Sequence, residues 1–315
     1  MRSYVLRQLL ALLLVMLAST LIVFLSLHLA PGSPEQFLVG RRTIPPEQLL
    51  ALRAHYHLDD PLLVQYVRWL GGLVRGDFGM SIATRTPVTS LLASALPTTL
   101  VLIGYAALLS VTLGLVAGAT AALRRGWPDQ LITASSAVAV AIPAFVAAVL
   151  LRAFFAVHWG LFPVRGGGHG FLERLHHLTL PAISLALLTS ALLARVTRSS
   201  MREEAAREHV QTAQVRGLPT TLIVRRHILR NALIPVVTVV GLQVPFLIVG
   251  SVAVEQAFDL SGLGRLLLSG VSTNDFAVVQ AVVLVIVFAI ITANTVVDLI
   301  YSWLDPRIRL GEGRR

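Results

Sequence analysis

The chain of 315 residues contains no cysteine and no lysine, so all 26 of its basic residues are arginine. Without cysteine, neither a disulfide framework nor a thiolate metal site is possible. Without lysine, the chain has no G-x-x-x-x-G-K-[ST] phosphate loop. Any work that ATP drives through this protein must therefore use the nucleotide site of another subunit.

Charged residues are also scarce: they make up 13% of the chain, whereas 55% of it is hydrophobic and the mean hydropathy is +0.76. A soluble core cannot bury so much apolar surface, which indicates an integral membrane protein. A helix that spans a bilayer needs about 20 apolar residues. The sequence predicts an all-α membrane protein with six transmembrane helices, at residues 9–29, 98–123, 131–157, 178–196, 232–254 and 276–303.

The distribution of arginine predicts the orientation of these helices. Two arginines precede the first helix, two follow the second, eight lie within residues 195–230, and four lie near the carboxyl terminus. The short loops on the other side hold only Arg165, Arg174 and Arg265. The positive-inside rule therefore places both termini and residues 195–230 in the cytoplasm. The net charge of +10 is then explained by topology and anionic lipid, rather than by nucleic acid.

The connections divide the chain into three parts. Residues 1–29 hold the amino terminus and the first helix, which is too long an apolar run for a signal peptide. Residues 30–95 form a long extracytoplasmic loop, in which we expect two or three short helices. Residues 96–315 form a five-helix core with a cytoplasmic loop at 197–230. Within the spans, we expect kinks or breaks at four prolines, which are Pro143, Pro181, Pro235 and Pro245.

The cytoplasmic loop has the pattern of a helix, a tight turn and a second helix. Residues 204–216 are good helix formers, and Gly217 followed by Pro219 is a signal for the end of a helix. Thr220 is expected to cap a second short helix that runs through Leu229. Upstream, residues 200–203 have capping-box spacing, so either a helix restarts there or the fourth span continues through them.

A short helix that is tied to two spans can convert movement of a docked partner into tilting of those spans. The loop is therefore interpreted as a coupling device, with an ordinary solvated loop as the alternative. Thr212 and Ala213 are small enough to enter a groove of the partner, and charged neighbours can fix the docking direction. The residues assigned to this contact are Glu208, His209, Val210, Gln211, Thr212, Ala213, Arg216, Gly217 and Leu218.

Eight segments, spread over nearly the whole chain, carry motifs of a known family. The central one reads H-V-Q-T-A-Q-V-R-G-L, and the set lies at residues 58–61, 76–81, 193–201, 209–218, 226–235, 262–267, 275–280 and 305–309. Together they resemble the dipeptide/oligopeptide/nickel family of ATP-binding-cassette (ABC) importer permeases, and its first-subunit type in particular. This chain departs from the general loop E-A-A-x-x-x-G, since Gln211 stands at the position of the glutamate.

The resemblance implies the type I ABC importer permease fold and a subunit that moves dipeptides or oligopeptides by alternating access. It implies a second homologous permease, two ATPase subunits or domains that bind ATP and Mg²⁺, and an extracytoplasmic substrate-binding protein. It implies no cofactor on this chain, and a place in the plasma membrane of a bacterium. Nickel chelates or other small solutes are the alternative cargo.

Polar residues inside the spans are candidates for the substrate pathway, because such groups at membrane depth usually face a cavity or a partner. Hydrogen bonds that pack helices together are the alternative explanation. The candidates are Gln243, Ser251, Glu255, Asn294 and Asp298.

A function with chemistry of its own is less well supported by the sequence. The histidines of the outer side, such as His176 and His177, are interpreted as solvated residues rather than metal ligands, because no carboxylate pattern completes a site. An intramembrane hydrolase would have to use His28, Asp298 and Ser184 as acid, base and nucleophile. No spacing joins these three residues, so the sequence favours a transport subunit without catalytic residues.

Overall fold

A computed structural model describes residues 2–29, 45, 60–168 and 170–304. The described chain is built of helices, and one isolated β-bridge pairs Met80 with Pro87. Of the two or three short helices expected within residues 30–95, one is present, at Leu62–Val74. Residues 30–44 and 46–59 and the motif at 305–309 lie outside the described residues.

The helices follow one another without an intervening sheet in the described residues. Helix α5 ends in π-helical turns at Arg152–His158, and α8 contains π-helical turns at Ile223–Leu229. The helices are α1 Arg2–Leu29, α2 Leu62–Val74, α3 Val88–Leu123, α4 Trp127–Ala141, α5 Ala144–His158, α6 Phe171–Ala205, α7 Glu208–Val215, α8 Thr220–Phe258, α9 Leu263–Ser272 and α10 Phe276–Leu304.

Four of the described helices, α3, α6, α8 and α10, are long and apolar enough to cross a membrane. Helices α4 and α5 form a bent pair that can supply one more crossing. The all-helical membrane architecture is thus confirmed, with four or five candidate crossings among the described residues. The predicted first span lies in α1, where the described apolar stretch Leu12–Ser26 is too short to count as a crossing, so the sixth span stays a prediction.

The third predicted span, at residues 131–157, is not one straight helix. Helices α4 and α5 are bent by 103° at a break that contains Pro143. Ile142 has an extended backbone, with φ −92° and ψ 116°, as expected for a residue that precedes proline. Pro181, Pro235 and Pro245 lie inside continuous helices instead, so they do not break the chain, and the kinks expected there stay a prediction.

The chain divides into two compact units. One of them contains Leu100–Leu260 and Thr292–Arg315. Helix α6 is the central element of this unit. Of its most apolar 18-residue stretch, 61% is buried, compared with 33% of that of α8. Helix α3 approaches α6 closely at two glycines: a Cβ on Gly114 would lie 2.7 Å from the Leu193 Cβ, and one on Gly118 would lie 2.5 Å from the Thr197 Cβ. The Gly-x-x-x-Gly spacing explains this close approach.

The other unit contains Met1–Thr99 and Ser261–Ile291. Its loop after α2 is held by Asp275, whose side chain is buried just before α10. The Asp275 carboxylate accepts a hydrogen bond of 2.6 Å from the Ser81 hydroxyl and one of 3.2 Å from the Ala83 amide. Two of the family-like segments, at 76–81 and 275–280, are therefore joined in this unit.

Candidate coupling site

The α7 segment, which we define as residues 206–219, connects the end of α6 to the start of α8. Helix α7 covers Glu208–Val215 and ends in a Schellman motif. The Leu218 amide donates to the Ala213 carbonyl at 3.2 Å, and the Gly217 amide donates to the Gln214 carbonyl at 2.9 Å. Gly217 has a φ of +72°, so the glycine at this position supplies a left-handed turn as predicted.

The helix boundaries on either side of this turn differ from those expected. Helix α6 continues through residues 200–203 to Ala205, and α7 begins at Glu208 because Arg207 has an extended backbone, with φ −74° and ψ 148°. Thr220 is the first helical residue of α8 and not its cap, since Pro219 occupies the cap position. Residues 223–234 contain no glycine or proline, and the helix does not stop at Leu229 but runs on to Phe258.

The inward side of α7 is fixed by apolar packing. The side chains of Val210 and Ala213, three residues apart and so on one face of the helix, are 0% and 4% exposed. They belong to one buried cluster with residues of α6 and α8, which are Met201, Ile223, Ile228 and Ala232. Ala213 was expected to enter a groove of a partner, and in this structure it packs instead against its own chain. Val210 and Ala213 therefore position α7.

The outward side of α7 carries the other predicted contact residues. Glu208, His209, Gln211, Thr212, Arg216, Gly217 and Leu218 are all exposed. The pattern missed Val215, whose side chain is 89% exposed at the last turn of α7. An exposed valine beside exposed polar residues gives this face an apolar centre and a polar rim, as in surfaces that bind other proteins.

One buried acid, Glu204, was not predicted to belong to this site. Its side chain is 8% exposed at the end of α6. The carboxylate accepts a hydrogen bond of 2.9 Å from the Asn231 amide of α8, and it lies 2.9 Å from the Arg207 Nε and 3.3 Å from the His209 Nε2. A contact between residues 27 positions apart cannot be read from local spacing.

A second carboxylate ties α6 to the neighbouring helices. Asp129, in the first turn of α4, accepts hydrogen bonds of 2.5 Å and 3.0 Å from Arg198 and one of 2.7 Å from Arg202. Arg202 also donates to the Ala121 carbonyl of α3 at 2.9 Å. Bidentate pairs between arginine and a carboxylate fix geometry as well as adding energy. Two of the eight arginines that were read as topology signals therefore bind structural partners.

Comparison with models of protein families shows which family the chain belongs to. A family model described as "Binding-protein-dependent transport system inner membrane component" matches residues 110–310. A second, described as "Binding-prot-dependent transport system membrane comp, N-term", matches residues 1–103. The chain belongs to this family of membrane transport subunits. The α7 segment of the permease lies within the first of the two matched regions.

Relatives that resemble the permease do so over its whole length. The glutathione transport system permease protein GsiC of Salmonella paratyphi A is 38% identical over 311 residues, which cover 98% of the permease and 99% of that relative. GsiC of Escherichia coli K12 is 36% identical over 310 residues, with the same two coverages.

A solved structure supports the fold. The permease matches one chain of a solved structure that is described as "Crystal structure of an amino acid ABC transporter with histidines". The TM-score is 0.54 and the identity is 19%, over 68% of the permease and 94% of that chain. At this identity the match shows the fold alone, which is that of an ABC transporter chain.

The predicted pathway residues of the permease fall into two groups. Gln243, Ser251 and Glu255 are 4%, 1% and 0% exposed. The Gln243 amide donates to the Thr189 carbonyl at 2.8 Å, and Ser251 donates to a carbonyl of its own helix at 2.8 Å. The hydrogen bond from α8 to α6 thus accounts for Gln243, as the alternative explanation proposed, whereas the bond of Ser251 stays within its own helix.

The other two pathway candidates lie on α10. The side chain of Asn294 is exposed, whereas that of Asp298 lies outside the described part of the chain. The serine of the hydrolase alternative, Ser184, is buried and donates to the Leu180 carbonyl of its own helix at 2.8 Å. Among the described residues, no group of three or more histidines and acids is placed to hold a metal ion.

Proposed function

We propose that this permease is one of two membrane subunits of an ABC importer for dipeptides, oligopeptides or similar short peptides such as glutathione. Identity over nearly the full length of glutathione transport permeases supports the substrate class. The observation that carries the mechanism is the α7 segment. It is a short helix between two membrane helices, packed on one side through Val210 and Ala213 and exposed on the other.

In this proposal, two ATPase subunits or domains bind ATP and Mg²⁺ and dock on the exposed side of α7. The contact residues are Glu208, His209, Gln211, Thr212, Val215, Arg216, Gly217 and Leu218. Helix α7 passes the movement of the ATPases to α6 and α8, which open the pathway alternately to the two sides of the membrane. ATP and the loaded binding protein must each prefer one conformation of the permease, or neither could drive the change.

The proposed topology places both termini and the α7 segment in the cytoplasm, in the plasma membrane of a bacterium. Helix α1 supplies the sixth crossing, and residues 30–95 lie outside the membrane, where an extracytoplasmic substrate-binding protein delivers the peptide. A second homologous permease completes the pathway. Asn294 and Asp298 are the pathway residues that the proposal retains, because Asn294 is exposed on α10 and Asp298 lies one helical turn further along.

Reconstitution in proteoliposomes tests this function. The permease is assembled with its second permease, its ATPases and its binding protein, and accumulation of labelled glutathione and labelled dipeptide is measured with and without ATP. We expect peptide uptake that requires both ATP and the binding protein. Uptake of a nickel chelate but not of peptides would replace the substrate class. Peptide cleavage by the isolated chain, without ATP or partners, would favour the intramembrane hydrolase.

A further inference from the structure

We propose that Glu204 is a positioning residue that fastens the α7 segment to both adjacent membrane helices at once. The inference rests on the coupling role proposed above and adds the residue that holds α7 in a fixed position relative to α6 and α8. Glu204 lies in the last turn of α6, Arg207 and His209 lie at the start of the α7 segment, and Asn231 lies in α8. One carboxylate therefore contacts all three elements through which the movement of an ATPase must pass.

The carboxylate is matched to its three neighbours. An ionised carboxylate only accepts hydrogen bonds, and it has about four acceptor positions on its two oxygens. Its Oε1 lies 2.9 Å from the Asn231 Nδ2 and 3.3 Å from the His209 Nε2, and its Oε2 lies 2.9 Å from the Arg207 Nε. Each neighbour presents a nitrogen that can donate. Such charge-assisted hydrogen bonds are stronger than neutral ones, and they hold a buried charge that would otherwise be costly.

The open space beside the contacts of Glu204 explains why these contacts are needed to hold α7 in place. A cavity of about 530 Å³ borders the network and is lined by Glu204, Arg207, His209, Asn231 and Pro235, among others. Helix α7 is also held by the apolar packing of Val210 and Ala213, and the cavity lies beside that packing, because Ala232 lines the cavity and belongs to the same apolar cluster. Without the Glu204 carboxylate, the start of α7 can pivot about that apolar packing into the cavity. A pivoting α7 would absorb the movement of an ATPase instead of passing it to α6 and α8.

Glu204→Gln is the direct test, because it keeps the size of the side chain but replaces one acceptor oxygen with a donor that faces other donors. Glu203→Gln is the matched control. Glu203 is adjacent, exposed and borders the same cavity, and it takes no part in the contacts that join Glu204 to Arg207, His209 and Asn231. Both variants remove one negative charge from the last turn of α6. Only Glu204→Gln removes the carboxylate that joins the three elements.

The first measurement compares peptide uptake with ATP hydrolysis in the same proteoliposomes that contain the complete transporter. We expect Glu204→Gln to assemble with the ATPases and to hydrolyse ATP, while the peptide imported per ATP falls about tenfold, which is the low end for one lost charge-assisted interaction. Glu204→Asp, which keeps the charge, should recover part of this ratio. An unchanged ratio in Glu204→Gln would overturn the proposal.

The second measurement needs no transport, and it therefore separates this inference from the proposed function. The absence of cysteine allows spin labels at two introduced cysteines, Ser199→Cys on α6 and Gln214→Cys on α7, which both replace exposed residues. We expect a narrow distribution of distances in the parent and in Glu203→Gln, and a broad one in Glu204→Gln. Equal widths in all three would overturn the proposal even if the complete transporter imports peptides. If Glu204→Gln is not recovered from membranes, Asn231→Ala removes one partner and is judged by the same widths.

Discussion

Replacing Gly217 by valine perturbs the turn that ends α7. Gly217 has a φ of +72°, and an added Cβ would meet nothing within 4 Å, so the added Cβ lies in open space. The cost is therefore conformational, and it is roughly 1–2 kcal/mol for an L-residue in the left-handed region, where a β-branched side chain is a genuine outlier. That cost lowers the population of the native turn by about 5-fold to 30-fold.

The assay titrates the ATPase subunits onto membranes that contain the permease variant, and it measures peptide uptake in parallel. We expect both the association constant and the uptake rate to fall by about 5-fold to 30-fold, while α6 and α8 stay inserted. Gly217→Asn is the first control, because asparagine tolerates the left-handed conformation. Gly71→Val is the second, since its Cβ also meets open space but no positive φ is required. Normal association and uptake in Gly217→Val would refute the reasoning.

Three further predictions concern α7 and the contacts that α6 makes with α3 and α4. Gln211→Glu should leave uptake within about twofold, because the general family loop has glutamate at this position, and the one bond lost, from Gln211 to the Ala206 carbonyl, is exposed to solvent; a larger loss in the uptake assay would contradict this. Gly118→Ala should lower stability by about 1–3 kcal/mol, since its Cβ would lie 2.5 Å from the Thr197 Cβ, whereas Gly104→Ala has open space, and thermal melting of the two in detergent should separate them. Asp129→Asn should lower the melting temperature more than Arg198→Gln does, because it removes the negative charge that two arginines share; equal shifts would argue against a shared role.

The parts of the fold that the sequence predicted depend on composition and on single strong residues. A soluble protein cannot bury such long apolar runs, so the helical membrane architecture could be predicted from them. Gly217 followed by Pro219 predicted a left-handed turn because few other arrangements suit that pair. Pro143 correctly marked a break. Pro181 did not, since proline inside a membrane helix is tolerated when neighbouring helices satisfy the freed backbone groups.

The parts that could not be predicted depend on contacts between distant residues. Helix α7 has apolar residues on both sides, and only the structure distinguishes the buried Val210 from the exposed Val215. Glu204 and Asn231 are 27 positions apart, so their hydrogen bond leaves no local pattern. The same holds for Asp129 and Arg198, which are 69 positions apart. Such pairs appear in the sequence only as ordinary polar or charged residues near membrane helices.

Cross-linking from α7 tests the central claim most directly. Because the chain has no cysteine, Val215→Cys places a single reactive group on the exposed side of α7, and Val210→Cys places one on the buried side. In the assembled transporter, a short thiol cross-linker with a photoreactive second end should join the permease to an ATPase subunit from position 215 and not from position 210. If position 215 yields no product with the ATPase while the complex imports peptide, α7 is not the coupling element.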